Sequence, residues 1–140
     1  MLEGITHLHC CANFDWSLLM KTNADCINFD AYQYGETMSL YPDALKEFLG
    51  RGGMISWGIV PTTGPVGMPD IENESPSTLM ERLEQAIQLV VDRGIDKETL
   101  LEASWITPTC VTSILSIEAA ERAFAYTKEI SQRMREKYFS

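Results

Sequence analysis

Four short apolar runs, each followed by a stretch whose apolar residues recur at helical spacing, set the first constraint on what this chain can fold into. That alternation is the pattern of an α/β protein, in which helices link parallel strands. The runs cover residues 4–11, 24–32, Met54–Val60 (which stops at Pro61) and 100–106 (which ends at Thr107-Pro108). Asp15 is placed to cap a first helix through Trp16, Leu18, Leu19 and Met20. Pro42 and Asp43 open a second through Leu45, Phe48 and Leu49, with Gly50 after its last turn. Ser75 and Pro76 open a third, with Leu79, Leu83, Ala86, Ile87 and Val90 on one face and Gly94 at its end. Ser116 caps the last, whose buried stripe is predicted to be Ile117, Ala120, Phe124 and Ile130, continuing toward Met134. Residues 62–75, dense in Pro and Gly, read as a loop long enough to act as a lid or binding loop.

Four consecutive strand–helix units predict a parallel sheet with right-handed crossovers. Two architectures are built that way, a small open doubly wound sheet and part of a (βα)8 barrel. A full barrel takes about 250 residues, so a chain of 140 residues amounts to half of one. No glycine fingerprint for a dinucleotide follows the first run, which disfavours the doubly wound option. The expectation is a single α/β half-barrel domain over residues 1–140.

Composition narrows the function classes. With 20 acidic against 11 basic residues the formal net charge is −9, which argues against nucleic acid or an anionic membrane surface as the main partner. No apolar run approaches the roughly 20 residues of a membrane span, and the opening residues do not read as a signal peptide. The four cysteines, two of them adjacent, do not form the pattern of a disulfide scaffold. A reducing cytoplasm, with thiols free for metal or chemistry, is the expected compartment.

His9 and Cys11 lie two apart on a predicted strand, so their side chains share a face. Both sit at its carboxyl end, where parallel α/β folds place their chemistry. Cys110 follows the fourth strand at the same rim. A catalytic zinc takes three protein ligands and leaves one position open, and two thiolates with one imidazole suit zinc better than magnesium or calcium. A substrate thiol held in the open position would be a thiolate, the competent nucleophile, at neutral pH. Asp30, ending the second strand, is a candidate fourth ligand, a hydrogen-bond acceptor behind the ligands, or a helix cap. Asn13 either donates to a substrate carboxylate or forms a turn. Cys10, on the opposite face from Cys11, and Cys26 read as packing residues. His7 either orients a ligand or is a satisfied barrel histidine. Trp57 and Trp105 are expected in the core, and Asp70 to Glu74 in a solvated loop.

At these residues the sequence resembles a known group. Leu8-His9-Cys10-Cys11-Ala12-Asn13 is similar to the His-x-Cys-Gly-Asn segment of methylcobamide:coenzyme M methyltransferases. These belong to the superfamily shared by uroporphyrinogen decarboxylase and cobalamin-independent methionine synthase. Residues 25–30 resemble the superfamily strand that ends in an acidic residue. Residues 51–62 (RGGMISWGIVPT) resemble the Gly-to-Pro-Thr strand of methionine-synthase-like proteins. Thr107-Pro108-Thr109-Cys110, with Leu115-Ser116 and Glu118-Ala119-Ala120, is similar to their last strand and helix.

The resemblance runs over essentially the whole chain. It implies zinc held by His9, Cys11 and Cys110, with Asp30 where methionine synthases have a ligand glutamate. It implies methyl transfer from a methyl-corrinoid or methyl-folate to a thiol such as homocysteine or coenzyme M, with a corrinoid protein as a possible donor partner. Two features depart from the pattern. Val111 stands where the group usually has Gly, and the four units here match only the second half of the family's barrel. A metal-free uroporphyrinogen-decarboxylase-like protein and a non-catalytic zinc-binding module are the alternatives. Because an open half-barrel would expose two strand edges and its inner face, a homodimer or a missing N-terminal half is expected.

Overall fold

The computed structural model describes residues 3–62 and 70–139. The chain runs β1 (His7–Cys10), α1 (Trp16–Met20), β2 (Cys26–Asp30), α2 (Ala31–Tyr34), a 3-10 segment (Gly35–Leu40), α3 (Pro42–Gly50) and β3 (Met54–Val60). A 3-10 turn (Asp70–Asn73), α4 (Pro76–Val91), α5 (Lys97–Glu102), β4 (Ser104–Pro108) and α6 (Ile117–Phe139) follow. The strands form one sheet in the order β1-β2-β3-β4, and every pairing is parallel. The α/β expectation is therefore met. Half of the loop expected over residues 62–75, residues 63–69, lies outside the described residues.

Side-chain alternation divides the sheet into two faces. Ile27, Phe29, Ile55, Trp57 and Ile59 are fully buried, joined in one core with Leu45 and Phe48 of α3, Leu79, Leu83 and Val90 of α4, and Ala123 and Ile130 of α6. Trp16, Phe29 and Trp57 stack in series, with ring centroids 5.4 and 5.3 Å apart. Each indole finds a hydroxyl partner: Trp16 Nε1 donates to Thr37 Oγ1 at 2.9 Å and Trp57 Nε1 to Ser104 Oγ at 2.9 Å. These rings combine large apolar burial with satisfied N–H groups, which is what large aromatics need in a core.

The opposite face, which carries His7, His9, Asn28, Ser56 and Thr107 together with Trp105, is bent into a trough. In a flat sheet, three spacings of about 4.8 Å would set β1 and β4 about 14 Å apart. Here the ring centroids of His7 on β1 and Trp105 on β4 are 6.5 Å apart, and Asn28 on β2 bonds Thr107 on β4 at 2.8 Å, past the intervening strand. The sheet must curl to allow this. Successive right-handed crossovers in one direction also place all the helices on a single face.

Several expectations need correction. The fourth strand is Ser104–Pro108, whereas Leu100 and Leu101 belong to α5. Asp96 decides this by capping α5, accepting from Thr99 N at 3.0 Å and Thr99 Oγ1 at 2.9 Å. The second strand ends at Asp30, which caps α2 instead of continuing to Tyr32. The stripe of α6 is shifted. Ala119, Ala123, Ile130 and Met134 are buried, while Ile117 and Phe124 are 80% and 59% exposed. Ala119 and Ala123 pack the first half of α6 inward, with Ile130 and Met134 continuing the buried stripe, while Ile117 and Phe124 are left outside. Trp105 is not core but 46% exposed, because it stands on the trough face.

Gly50 is the last residue of α3, and the left-handed position after it falls to Gly52 (φ +89°). The acidic run is not merely solvated. Ile71 is fully buried, and Glu74 accepts from Tyr32 Oη at 2.8 Å and Thr78 Oγ1 at 2.6 Å and pairs with Arg82 at 3.2 Å. Burial and the Glu74 carboxylate push the Tyr32 phenol up to about 12.

Gly58 is the tightest point of the trough. A Cβ there would meet Phe29 O at 2.6 Å, Thr109 Cα at 3.0 Å and Pro108 O at 3.1 Å. The β3–β4 register shifts beside it, between Gly58 and Val60. Gly58→Ala is expected to cost about 1–3 kcal/mol in chemical denaturation, since backbone has to move. A wild-type midpoint would show that β4 is not held against β3 at this point.

Candidate metal centre

His9 is the penultimate residue of β1, and Cys11 lies just past its end. Cys110 lies two residues beyond β4. The last is positioned by a buried hydroxyl pair, for Thr109 N donates to Val60 O at 2.9 Å and Thr62 N donates to Thr109 Oγ1 at 3.1 Å. The Thr62 and Thr109 hydroxyls are 3.0 Å apart, both side chains being essentially inaccessible. A carbonyl and a hydroxyl from β3 and its end therefore fix the backbone that presents Cys110.

The result is a convergence of the two sheet edges. One ligand atom from each of His9, Cys11 and Cys110 lies within 4.8 Å of the others, and these three residues could hold a metal ion. Tetrahedral coordination with Zn–S near 2.3 Å implies ligand atoms about 3.8 Å apart, so modest side-chain rotation closes the set. Two sulfurs and an imidazole make a donor set for a soft or borderline transition metal. His9 and Cys11 are exposed and Cys110 half-buried, so the site opens to solvent.

The orientation of His9 is set by Asn28. The Asn28 amide nitrogen donates to the Ser56 carbonyl at 3.0 Å, to Ser56 Oγ at 3.1 Å and to Thr107 Oγ1 at 2.8 Å. A carbonyl only accepts, so Asn28 must turn its nitrogen to Ser56 and its Oδ1 to His9. Asn28 Oδ1 then receives a hydrogen bond from His9 Nδ1. That selects the tautomer in which Nε2 carries the free lone pair for a metal.

Asp30 is not a member of the converging group among the described residues. Its carboxylate caps α2, accepting from Gln33 N at 2.9 Å. Burial pushes its carboxyl above the usual range, against the opposing pull of the Gln33 and Tyr32 amides and of His9. Asn13 is exposed in the loop between β1 and α1. His7 is exposed on the trough face and meets Trp105 edge-on, at 72°. Cys10 is half-buried against the core.

Cys26 is buried, and burial together with the neighbouring Asp25 pushes its thiol up to about 11. A folded-state pKa above the unfolded value means a contribution to stability that is complete below about pH 9 and is lost as pH rises through about 11. In native metal-free protein at pH 8, a thiol reagent is therefore expected to label Cys10, Cys11 and Cys110 and to spare Cys26. Metal should then protect Cys11 and Cys110. Labelling of Cys26 at the rate of Cys10 would contradict the burial.

Asn28, Thr62 and Thr109 were not singled out in the sequence. For Asn28 a signal existed: an amide in the middle of the apolar strand CINFD needs buried partners, and strand register sets it beside His9. Thr62 and Thr109 carry no such signal, because their pairing depends on the β3–β4 register shift.

Comparison with protein-family models, with curated proteins and with solved structures finds no match to this chain. Among the described residues, no helix is long and apolar enough to cross a membrane.

Proposed function

We propose that the chain is a half-barrel of the superfamily that includes cobalamin-independent methionine synthase and the methylcobamide:coenzyme M methyltransferases, and that it activates a thiol for methyl transfer at a zinc ion held by His9, Cys11 and Cys110. The observation that carries this reading is the meeting of three ligand atoms, from opposite edges of the sheet, within 4.8 Å at its carboxyl rim. The strand order and the curl of the sheet support a half-barrel, because a barrel wall needs sequential parallel strands with the helices on its outside.

Zinc bound there supplies a lowered pKa to a thiol taken at its open position. The chain's own residues do the rest. Asn28 keeps the His9 proton on Nδ1, so Nε2 stays available. The Thr62–Thr109 pair holds the backbone before Cys110. Phe14, Val111 and Ile114 are exposed in the loops that carry Cys11 and Cys110, and offer an apolar border to an incoming methyl donor. Asn13, exposed in the first of those loops, would donate to an acidic group on the acceptor. In the transfer an S–CH3 bond forms and the bond from the methyl carbon to cobalt or nitrogen breaks. The electron pair stays with the donor; with a corrinoid the thiol proton goes to solvent, and with a folate the departing nitrogen takes up one proton in its place. A methyl-corrinoid or methyl-folate is the donor class and a small thiol the acceptor.

The test is to incubate zinc-loaded protein with methylcobalamin and coenzyme M or homocysteine and to measure thioether by mass spectrometry. Formation above the protein-free rate, lost in Cys110→Ser, is expected. Protein that takes up no zinc and forms no thioether would overturn the reading. Zinc uptake with thiol binding but no transfer would reduce the assignment to the thiol-activating half of an enzyme.

A further inference from the structure

At 100° per residue, α6 presents three faces. Tyr126, Arg133 and Lys137 turn toward α4 and its preceding turn. Tyr126 Oη donates to Glu74 O at 3.3 Å, Arg133 Nη1 to Ser77 Oγ at 3.0 Å and Lys137 Nζ to Glu84 Oε1 at 2.8 Å. Ala119, Ala123, Ile130 and Met134 lie buried on the inner side. Ile117 and Phe124 fall on the remaining flank, half a turn away from α4. Between that flank and the free edge of β4 runs a groove of about 760 Å3, lined in part by Trp105, Ile106, Ser131, Arg135 and Phe139. A following strand and helix would lie there if the array of units continued.

The other end of the array is exposed in the same way. Among the described residues, α1 packs mainly on α3. Ile5, Phe14 and Leu18, on segments next to the free β1 edge, are 61%, 41% and 53% exposed. Among the described residues, each end thus combines an unpaired strand edge with apolar side chains, a combination that natural sheets cover.

We infer that the cover is a second copy of this chain, with β4 of each copy beside β1 of the other. The inference rests on the half-barrel reading. All four strands point one way, so a rotation of half a turn about the axis of the curl brings a β1 edge to a β4 edge in parallel orientation. The interface is isologous, β4 meeting β1 and β1 meeting β4 about the two-fold axis, and it closes after two copies because each supplies four of the eight strands that a barrel with a side-chain-filled interior needs. Trp105 and His7 then stand inside the closed wall. Phe124 and Ile117 meet the α1 side of the other copy. Both metal centres open at the same rim.

Sedimentation equilibrium of the full chain with zinc tests this. Each copy weighs 15.8 kDa, so the expected mass is twice that, 31.6 kDa. Phe124→Glu is expected to return the mass to that of one copy. Ile117→Lys, at the first residue of α6, should weaken association at least about tenfold, with no core contact to disturb. Leu89→Glu, on an exposed position of α4 away from both edges, should leave the mass unchanged. A wild-type chain that stays at one copy across micromolar concentrations, or grows beyond two, would overturn the closure. So would dissociation by Leu89→Glu but not by the α6 variants. Zinc content measured on the same samples separates the two readings. A monomer that holds zinc sinks only the dimer, and a zinc-free dimer sinks only the metal centre.

Discussion

Replacing Cys11 or Cys110 by Ser is expected to strip the chain of tightly bound zinc. Structural sites with four protein ligands hold the ion with about 10–16 kcal/mol, so one thiolate of the set accounts for roughly 3 kcal/mol, a loss of about a hundredfold or more in affinity. Because Cys11 is exposed and Cys110 half-buried, neither change leaves a core cavity. The unfolding midpoint without metal should stay within about 0.5 kcal/mol of wild type. Cys10→Ser is the matched control, since Cys10 lies on the other side of β1, and it should keep its zinc. Equal zinc content in Cys10→Ser and Cys110→Ser, measured after dialysis against a weak chelator, would contradict the assignment.

The second large effect is expected at Asn28. Asn28→Leu removes both the acceptor that orients His9 and the donor shared by Ser56 and Thr107. Loss of such an orienting partner lowers metal affinity by about 10–100-fold. The unpaired hydroxyl and carbonyl groups cost a further roughly 1–3 kcal/mol of stability. Asn28→Asp separates the two roles. Its carboxylate still accepts from His9 Nδ1 but cannot donate to Ser56 O, so affinity should be largely retained while stability falls. If Asn28→Leu bound zinc as tightly as wild type, the tautomer argument would fail, whatever happened to stability.

The sequence made some of this legible and concealed the rest for physical reasons. The third strand and α4 were readable to within a residue or two, because Met54–Val60 is bounded by Gly53 and Pro61 and α4 has its Ser75 cap and Pro76. Leu100-Leu101 misled, since a short apolar run fits strand and buried helix equally and only the Asp96 cap distinguishes them. Ile117 and Phe124 looked like core because periodicity gives a stripe but not which side the sheet lies on. Trp105 looked like core because a strand residue normally has something across from it, and here the trough is open on that side.

At the site, strand parity set His9 and Cys11 on one face and the end of β4 set Cys110 at the same rim, but it was the resemblance to the methyltransferases that joined the three as one ligand set. The capping role of Asp30 was one of three open readings, and it is the one that the Gln33 amide at 2.9 Å displays. The Asn28 contact needed the pairing of β1 with β2, which no single run discloses.

The claim that joins these points is that His9, Cys11 and Cys110 hold zinc and leave one position for a thiol. X-ray absorption at the zinc edge of the full chain, before and after addition of coenzyme M or homocysteine, tests it most directly. Two sulfur ligands at about 2.3 Å with nitrogen or oxygen completing the shell are expected at first, and three sulfurs after the thiol is added. A shell without sulfur, or a sulfur count that stays at two when saturating thiol is present, would contradict it.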